Sequence, residues 1–369
     1  MEIGLVRIGP AREAVAPEAL RLPACPLPRP GDVVTWYQNT IRCTGLLLGH
    51  TYRSEPCIEP RQGGVTRLAS FDDIRIDDRR RAVGPNWLRL PASSTVTRPH
   101  DHELEYLERL LDCAAPSGTE HRTLALEIWN RGYEIFLAGA TVREALAKRD
   151  VRNAEFVTTM PLDRLHPVVV GMYGLGNIAL GELGREWGRL RLGGAERVAS
   201  DAVVEVRVFR HAAPGTNAAV FGASFERDLW FGDLSCNAVY YEPINKVLID
   251  PTGFGLDDAT GCCVRGVFQP NERSAEELAR IGLRVVKQRL RGYQPAPGCD
   301  EQLTMLLSKL PAMPHPVRAA ALVAEVFEDL DSGECDGAWI AMRNVFADLG
   351  LESLWRRYVE PHHGGLRRE

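Results

Sequence analysis

The sequence lacks a run of about 18 apolar residues, the minimum for a membrane-spanning helix, so no membrane span is expected. Its first ten residues also lack the basic stretch followed by an apolar stretch that marks a secretory signal. Neither a Gly-x-Ser-x-Gly nucleophile elbow nor a Walker-type phosphate loop occurs. These absences argue against membrane and secreted proteins, and against the hydrolases and NTPases that those two motifs define.

Cysteine gives no pattern of paired ligands. The nine cysteines are scattered and odd in number, and no two Cys-x-x-Cys repeats occur. The adjacent Cys262 and Cys263 cannot both face one zinc ion without strain. A structural zinc site is therefore not expected, and the cysteines are interpreted as reduced thiols of a cytoplasmic protein.

No charge of one sign dominates the chain. The net charge is −5, which gives no support for broad nucleic-acid binding and leaves only a local basic patch as an option. Apolar residues make up 45% and charged residues 25%, as in ordinary globular proteins. The length of 369 residues predicts two or three domains.

The composition and the predicted secondary structure change several times along the chain. Residues 1–30 are rich in Pro, Ala and Arg and are interpreted as an irregular lead-in. Residues 31–82 contain short β-type runs separated by turn residues, which predict a small antiparallel, SH3-like barrel. A Pro-rich linker is expected from Pro85 to Pro99. Residues 103–270 mix helical and strand patterns and form an α+β domain, and residues 271–369 form a short helical region.

A strand ending in a glycine turn occurs at Phe136-Leu-Ala-Gly-Ala-Thr-Val-Arg, where a helix is expected to open. Backbone N–H groups at such a helix N-terminus form a phosphate cradle, although a glycine here is also compatible with a simple turn. Asn153 and Glu155 follow, two residues apart, and share one face of the next predicted strand. Glu205, in Val203-Val-Glu-Val-Arg-Val-Phe-Arg, is either a further acid of this site or an ordinary solvent-facing residue.

Two later blocks carry polar side chains at fixed separations. The segment Asp233-Leu-Ser-Cys-Asn is followed by Val247-Leu-Ile-Asp-Pro-Thr-Gly. The segment Glu276-Glu-Leu-Ala-Arg opens a predicted helix over about residues 274–292. A Glu–Arg pair three residues apart offers acceptors and donors that can read a base edge, and it is also a common surface pair. Arg280, Arg284, Lys287 and Arg291 form one basic stripe, which suits either phosphate or solvent.

Taken in chain order, the four blocks resemble the head domain of CCA-adding tRNA nucleotidyltransferases and poly(A) polymerases, in the DNA polymerase beta superfamily. That family reads Asp-x-Asp where this chain has Asn153 and Glu155, and the two aspartates hold two Mg²⁺ ions. It also has Arg-Arg where this chain has Phe231-Gly232. The resemblance does not extend to the N-terminal residues, about 100 in number, and the tRNA-gripping tail of the family is mostly missing.

The resemblance implies a role for each matching residue. The implied catalytic residues are Glu155, Asn153 and Glu205, and Mg²⁺ is expected on Glu155 with Glu205 or Glu144. The implied nucleotide-binding residues are Gly139, Arg143, Asp233, Asn237, Glu277 and Arg280. The implied RNA or phosphate contacts are Arg284, Lys287 and Arg291.

Two functions are compatible with these residues. The first is a tRNA-nucleotidyltransferase-like protein that binds a nucleoside triphosphate or a tRNA 3′ end and transfers a nucleotidyl group to a hydroxyl. The second is an inactive or repurposed homologue, which acts as an RNA- or nucleotide-binding scaffold or in specialised metabolism on an aminoacyl-tRNA or a small molecule. The altered Asp-x-Asp pair favours the second function, and the four ordered blocks favour the first.

Overall fold

A computed structural model describes most of the chain. The described residues are 11–16, 19–21, 33–51, 55–61, 64–76, 90–114, 119–149, 154–174, 178–179, 188–192, 204–211, 220–222, 225–229, 232–267, 274–296, 298–312, 316–327 and 335–360. The fold mixes helices and strands and divides into two compact units. Unit 1 comprises Met1–Asp228 and Val239–Gly253, and unit 2 comprises Leu229–Ala238 and Phe254–Glu369.

Unit 1 contains an eight-stranded sheet that carries the predicted acidic residues. Its strands are β6 (Thr95–Thr97), β7 (Ile135–Leu137), β8 (Ala154–Thr158), β9 (Ile178–Ala179), β10 (Arg189–Leu192), β11 (Val204–Val208), β14 (Tyr240–Glu242) and β15 (Val247–Asp250). The spatial order is β6-β15-β14-β7-β8-β11-β10-β9. The pairing between β8 and β11 is parallel, and the other pairings are antiparallel.

Among the described residues, five helices lie wholly or mostly in the same unit. They are α1 (Asp101–Asp112), α2 (His121–Asn130), α3 (Gly139–Leu146), α4 (Leu162–Tyr173) and α5 (Phe225–Leu229). Helix α1 begins where the Glu103 carboxylate accepts the His100 backbone N–H at 2.9 Å, which satisfies one donor of the first turn. The same carboxylate pairs with Arg12 at 2.6 Å and so holds the N-terminal segment.

An aromatic cluster fills the core beside this sheet. Phe136, Phe209, Phe225 and Tyr240 lie with ring centroids 4.7–6.2 Å apart, mostly edge to face. Each such pair adds about 0.5–1.5 kcal/mol beyond the burial of its apolar surface. Phe136 of this cluster lies on β7, and Phe209 directly follows β11. The cluster therefore contacts both strands that flank β8.

A second sheet in unit 1 includes the predicted N-terminal strands. It consists of β1 (Val33–Gln38), β2 (Ile41–His50), β3 (Pro56–Pro60), β4 (Thr66–Arg67), β5 (Ile74–Ile76), β12 (Arg210–His211) and β13 (Val220–Phe221). It has its own core, with Val34, Trp36 and Ile58 fully or almost fully buried. Pairing of Phe221 with His50 brings in strands from outside residues 31–82. The pairings among the described residues do not close, so the predicted barrel is not confirmed.

The Pro-rich linker expected up to Pro99 contains a strand. Residues Thr95–Thr97 form β6 and pair with β15 at the edge of the eight-stranded sheet. The Val15 N–H donates to the Val96 carbonyl at 2.8 Å, so part of the lead-in also contacts this edge. The prediction of a linker was wrong here because strand pairing with distant residues outweighs the local proline signal.

Unit 2 is mainly helical. Its helices are α6 (Gly255–Thr260), α7 (Ala275–Leu290), α8 (Cys299–Leu307), α9 (Pro316–Phe327), α10 (Cys335–Asp348) and α11 (Glu352–Leu354), and its strands β16 (Cys263–Val264) and β17 (Gln294–Pro295) are parallel. Leu278 and Ile281 on α7 pack against Leu306 on α8. Across the described ranges, no helix of either unit is both long and apolar enough to cross a membrane.

Candidate functional site

Two predicted acids lie side by side on the eight-stranded sheet of unit 1. Glu155 on β8 and Glu205 on β11 are register partners in the parallel pair. Neighbouring strands are about 4.8 Å apart, and paired residues of parallel strands point to the same face. The backbone N–H of Glu155 donates to Thr141 Oγ1 at 2.8 Å, which ties β8 to helix α3. The strand register thus places Glu205 beside Glu155, and its role as a further acid of the site or as an ordinary strand residue stays a prediction.

The glycine turn at the start of α3 closes on Glu155. Gly139 has φ of +63°, a backbone conformation that favours glycine. A Cβ placed on Gly139 would lie 1.9 Å from Glu155 Oε2. The backbone N–H of Ala140 donates to the Glu155 carboxylate. The predicted phosphate cradle thus holds a carboxylate of the protein itself, which is the kind of group a helix N-terminus attracts.

Burial and a like charge change the acidity of Glu155. Its pKa rises from 4.5 to about 7, first because of burial and second because of the negative charge of Glu205. Arg143, the Ala140 N–H and Arg207 act in the opposite direction without cancelling this rise. The Glu155 carboxyl group therefore titrates near neutral pH.

The other predicted groups of this region have partners. Glu205 forms an ion pair with Arg189 at 2.6 Å. Arg143, predicted to contact a triphosphate, is buried, and its guanidinium donates to Glu144. Glu144, the alternative metal ligand, is thus already engaged. Asn153, the other half of the altered pair, lies outside the described residues.

A buried charge network adjoins the pair and was missed in the sequence. Asp228 accepts two bonds from Arg207 at 2.8 and 2.9 Å, the Arg210 backbone N–H at 3.0 Å and the Tyr240 hydroxyl at 2.9 Å. Burial acts to raise the pKa of Asp228, but Arg207 and Arg210 hold it at about 2. The available signal was the period of two in Glu205-Val-Arg207, which places both side chains on one strand face.

Unit 2 brings together three of the predicted residues. Asp233 accepts from Asn237 Nδ2 at 3.0 Å and from Arg284 at 2.6 Å, and it also accepts the Leu234 backbone N–H at 2.7 Å. Burial acts to raise the pKa of Asp233, but Arg284 and Asn237 hold it at about 2. The predicted basic stripe is therefore interrupted at Arg284, because an acid neutralises it.

The predicted base-reading pair is not an ion pair. Glu277 accepts the Ser274 backbone N–H at 2.9 Å and the Ser274 hydroxyl at 2.8 Å, as the third residue of a capping box. Arg280 pairs with Glu276 and Glu325.

The last two residues of the basic stripe are Lys287 and Arg291. Lys287 Nζ donates to the Val326 carbonyl at 2.7 Å, and Arg291 caps the C-terminal end of α7 with its backbone. The side chains of Arg280, Arg284 and Lys287 therefore contact protein partners.

The Glu155–Glu205 pair has the chemistry of a Mg²⁺ site. Within the described ranges, no group of three or more His, Cys, Asp or Glu side chains is placed to hold a metal. Mg²⁺ is usually held by one or two carboxylates together with water and substrate phosphates, so two carboxylates suffice when a triphosphate is bound. Burial and, after it, the charge of Glu205 raise the pKa of Glu155, and a divalent cation would relieve the repulsion between the two carboxylates.

Comparison with known proteins gives a likeness in structure only. No family model and no curated protein matches this chain. The Thermotoga maritima CCA-adding enzyme complexed with tRNA is 14% identical, with 62% of this chain and 50% of that chain covered and a TM-score of 0.44. The Bacillus stearothermophilus CCA-adding enzyme in complex with CTP is 20% identical, with 69% and 70% covered and a TM-score of 0.40.

A third similar structure is a tRNA nucleotidyltransferase complexed with a primer tRNA and an incoming ATP analog. It is 16% identical, with 64% of this chain and 62% of that chain covered and a TM-score of 0.46. The chain spans about half the length of the Thermotoga enzyme. At these identities and TM-scores the similarity assigns neither activity nor substrate, so the function must be argued from the chain's own residues.

Proposed function

We propose that this chain is a nucleotidyltransferase-type protein that binds a nucleoside triphosphate, or the 3′ end of an RNA such as tRNA, on the Glu155–Glu205 face of unit 1. The carrying observation is that Glu155 and Glu205 are register partners and that the Glu155 carboxylate adjoins the Gly139 turn. Carboxylates hold the cation of a triphosphate, and the first N–H groups of a helix contact its oxygens. These two features support the proposal of nucleotide binding within one unit.

In the active form of this proposal, Glu155 and Glu205 hold Mg²⁺. The cation would supply charge neutralisation on the phosphates. The acceptor hydroxyl would attack the α-phosphorus, forming a phosphoester bond as the bond to the β-phosphate oxygen breaks, pyrophosphate leaves and the hydroxyl proton passes to solvent. The Ala140 N–H would contact a phosphate oxygen if the Glu155 carboxylate turned away from it to hold the cation. Gly139 leaves room for the Glu155 carboxylate at its present position beside the turn.

The roles of the matching residues in unit 2 remain part of the proposal. We assign nucleotide recognition to Asp233, Asn237, Glu277 and Arg280. Each of these side chains is held by contacts inside unit 2, so a nucleotide has to replace protein partners. RNA or phosphate contacts by Arg284, Lys287 and Arg291 carry the same requirement.

A second candidate is a binder without transferase activity. It is favoured by two contacts, the Ala140 N–H on the Glu155 carboxylate and the 2.6 Å ion pair between Arg189 and Glu205. Both contacts satisfy carboxylates that an active enzyme uses for metal binding. In this form the face retains a nucleotide or an RNA end without transferring it, and the protein acts as a scaffold or in a repurposed reaction.

Nucleotide incorporation distinguishes the two candidates. The purified chain is incubated with each of the four radiolabelled triphosphates, total tRNA and either Mg²⁺ or EDTA. Mg²⁺-dependent incorporation that Glu155→Ala abolishes and Glu127→Ala preserves would establish the active form, since Glu127 lies on α2 and pairs with Arg131. Binding without incorporation would establish the binder, and the absence of both would refute the proposed function.

A further inference from the structure

The strand β10 presents two arginines on the outer part of the eight-stranded sheet. Its sequence, Arg189-Leu-Arg-Leu, alternates exposed and buried residues. Leu190 is 0% and Leu192 is 4% exposed, whereas Arg189 and Arg191 are exposed. Side chains of a strand alternate between faces, so both arginines lie on the face away from the two leucines.

The register places Arg191 in line with the acidic pair. Arg191 on β10 pairs with Glu205 on β11, and Glu205 pairs with Glu155 on β8. The three residues form one row across neighbouring strands, with about 4.8 Å between successive strands. Arg191 is therefore beside Glu205 and about 10 Å from the backbone of Glu155.

Arg191 is nevertheless not the ion-pair partner of Glu205. The Glu205 carboxylate binds Arg189, which is offset from it by two residues along β10. Within the part of the chain that the structure describes, the side chain of Arg191 forms no ion pair and no hydrogen bond. Its guanidinium, with five N–H donors, is available to a ligand beside the acidic pair.

The local charges favour an anion at this position. Among the described residues, the carboxylates of this region include those of Glu144, Glu155, Glu205 and Asp228, and the guanidinium groups include those of Arg143, Arg189, Arg191, Arg207 and Arg210. Arg143 binds Glu144. Arg189 binds Glu205, and Arg207 and Arg210 share Asp228. Within the described residues, Arg191 is therefore a guanidinium without an ion-pair partner at the β10 end of the row.

We infer that Arg191 binds a phosphate group of the ligand on the Glu155–Glu205 face and thereby sets its position across the sheet. The inference rests on the proposed function, because it adds a contact to that same site. Guanidinium groups suit phosphate because their fork of donors can bind two oxygens at once. The phosphate belongs either to the triphosphate or to the phosphodiester backbone of a single-stranded RNA.

Equilibrium binding with matched variants tests this contact. Anisotropy is measured with fluorescently labelled ATP and, separately, with a labelled single-stranded RNA of about twelve nucleotides. Arg191→Gln is compared with Arg191→Lys and with Arg75→Gln. Arg75 is also an exposed strand arginine, on β5 of the other sheet, and it too lacks an ion pair among the described residues. Thermal unfolding of each variant checks that the fold is retained.

Arg191→Gln is expected to raise the Kd of at least one ligand roughly threefold to tenfold, as for the loss of one charged contact at a partly exposed position. Arg75→Gln is expected to change it less than about twofold, which is the scale of surface effects. Arg191→Lys keeps the charge but loses the fork of donors, so its Kd is expected to lie between those of the wild type and Arg191→Gln. A loss of affinity for ATP alone identifies the triphosphate as the source of the phosphate. A loss confined to RNA, with the salt slope of log Kd reduced by about 0.7, identifies the phosphodiester.

Two results would overturn the inference, and they are distinguishable. If the wild-type protein binds and Arg191→Gln binds both ligands as tightly as Arg75→Gln does, Arg191 makes no phosphate contact while the proposed function stands. If the wild-type protein binds neither ligand, the proposed function fails and this inference fails with it.

Discussion

Replacing Gly139 with alanine tests whether the glycine turn closes on Glu155. The added Cβ would lie 1.9 Å from Glu155 Oε2 and 3.0 Å from Cδ. The carboxylate would have to retreat by roughly 1.5 Å to reach an ordinary contact distance of about 3.5 Å. That movement breaks its hydrogen bond with the Ala140 N–H. Because Gly139 has φ of +63°, alanine is also strained there in any background.

The two effects have separate magnitudes. The left-handed backbone costs alanine about 1–2 kcal/mol, and loss of a charge-assisted hydrogen bond costs about 1–2 kcal/mol more. Gly139→Ala should therefore lower the free energy of unfolding by about 2–4 kcal/mol in the wild-type chain. In a Glu155→Ala chain only the backbone part remains, so the same change should cost about 1–2 kcal/mol.

Urea unfolding at pH 8, where Glu155 is largely ionised, gives the four free energies of this double-mutant cycle. Gly64→Ala is the matched control, because Gly64 has φ of +82° and no atom within 4 Å of an added Cβ. It should cost only the backbone part in both backgrounds. An equal cost of Gly139→Ala with and without Glu155 would refute the contact on which the candidate site is built.

Three further predictions concern the charges of this face. The folded-state pKa of Glu155 is raised from 4.5 to about 7, so protonation of Glu155 contributes stability that is complete below pH 4.5 and is lost as the pH rises through 7. Between pH 5 and pH 8 the free energy of unfolding in urea should therefore fall by about 1–3 kcal/mol more in the wild type than in Glu155→Gln. An identical dependence of the two free energies on pH would contradict this prediction. Asp228→Asn should lower the free energy of unfolding by about 2–4 kcal/mol in urea, because it leaves two guanidinium groups without their shared anion; a change below about 0.5 kcal/mol would speak against a structural role. Arg189→Gln should lower the Kd for Mg²⁺ about threefold to tenfold by calorimetry, since it frees Glu205 from a competing cation, and an unchanged or higher Kd would count against metal binding by this pair.

Much of the secondary structure follows from sequence periodicity. The helix expected over Glu103–Cys113 is observed at Asp101–Asp112, and the one expected over about 274–292 is observed at Ala275–Leu290. Both have apolar residues at helical spacing and a capping glutamate, so local propensity and packing agree. The capping box of Ser274 and Glu277 was itself readable in the sequence, and it explains why Glu277 does not pair with Arg280.

Pairings between distant segments account for what the sequence analysis missed. Nothing local indicates that Thr95–Thr97 joins the edge of the eight-stranded sheet or that Phe221 pairs with His50. The ion pair of Glu205 with Arg189 depends on the register of β10 against β11, which a single sequence does not specify.

The position of the Glu155 carboxylate needed three-dimensional information as well. Glu155 reaches the Gly139 turn with one methylene more than aspartate has, and that contact depends on the distance between β8 and α3. The motifs alone predicted that Gly139 and Glu155 belong to one site. They did not predict that the Glu155 side chain occupies the Gly139 turn.

Hydrogen exchange with and without ligand tests the central claim most directly, that the Glu155–Glu205 face is the nucleotide site. The wild-type protein is saturated with ATP and Mg²⁺, and amide exchange is compared with that of the free protein. We expect ligand binding to slow amide exchange at Gly139 and Ala140 and in the strands β8 and β11. Saturable ATP binding that leaves exchange in these segments unchanged would contradict it.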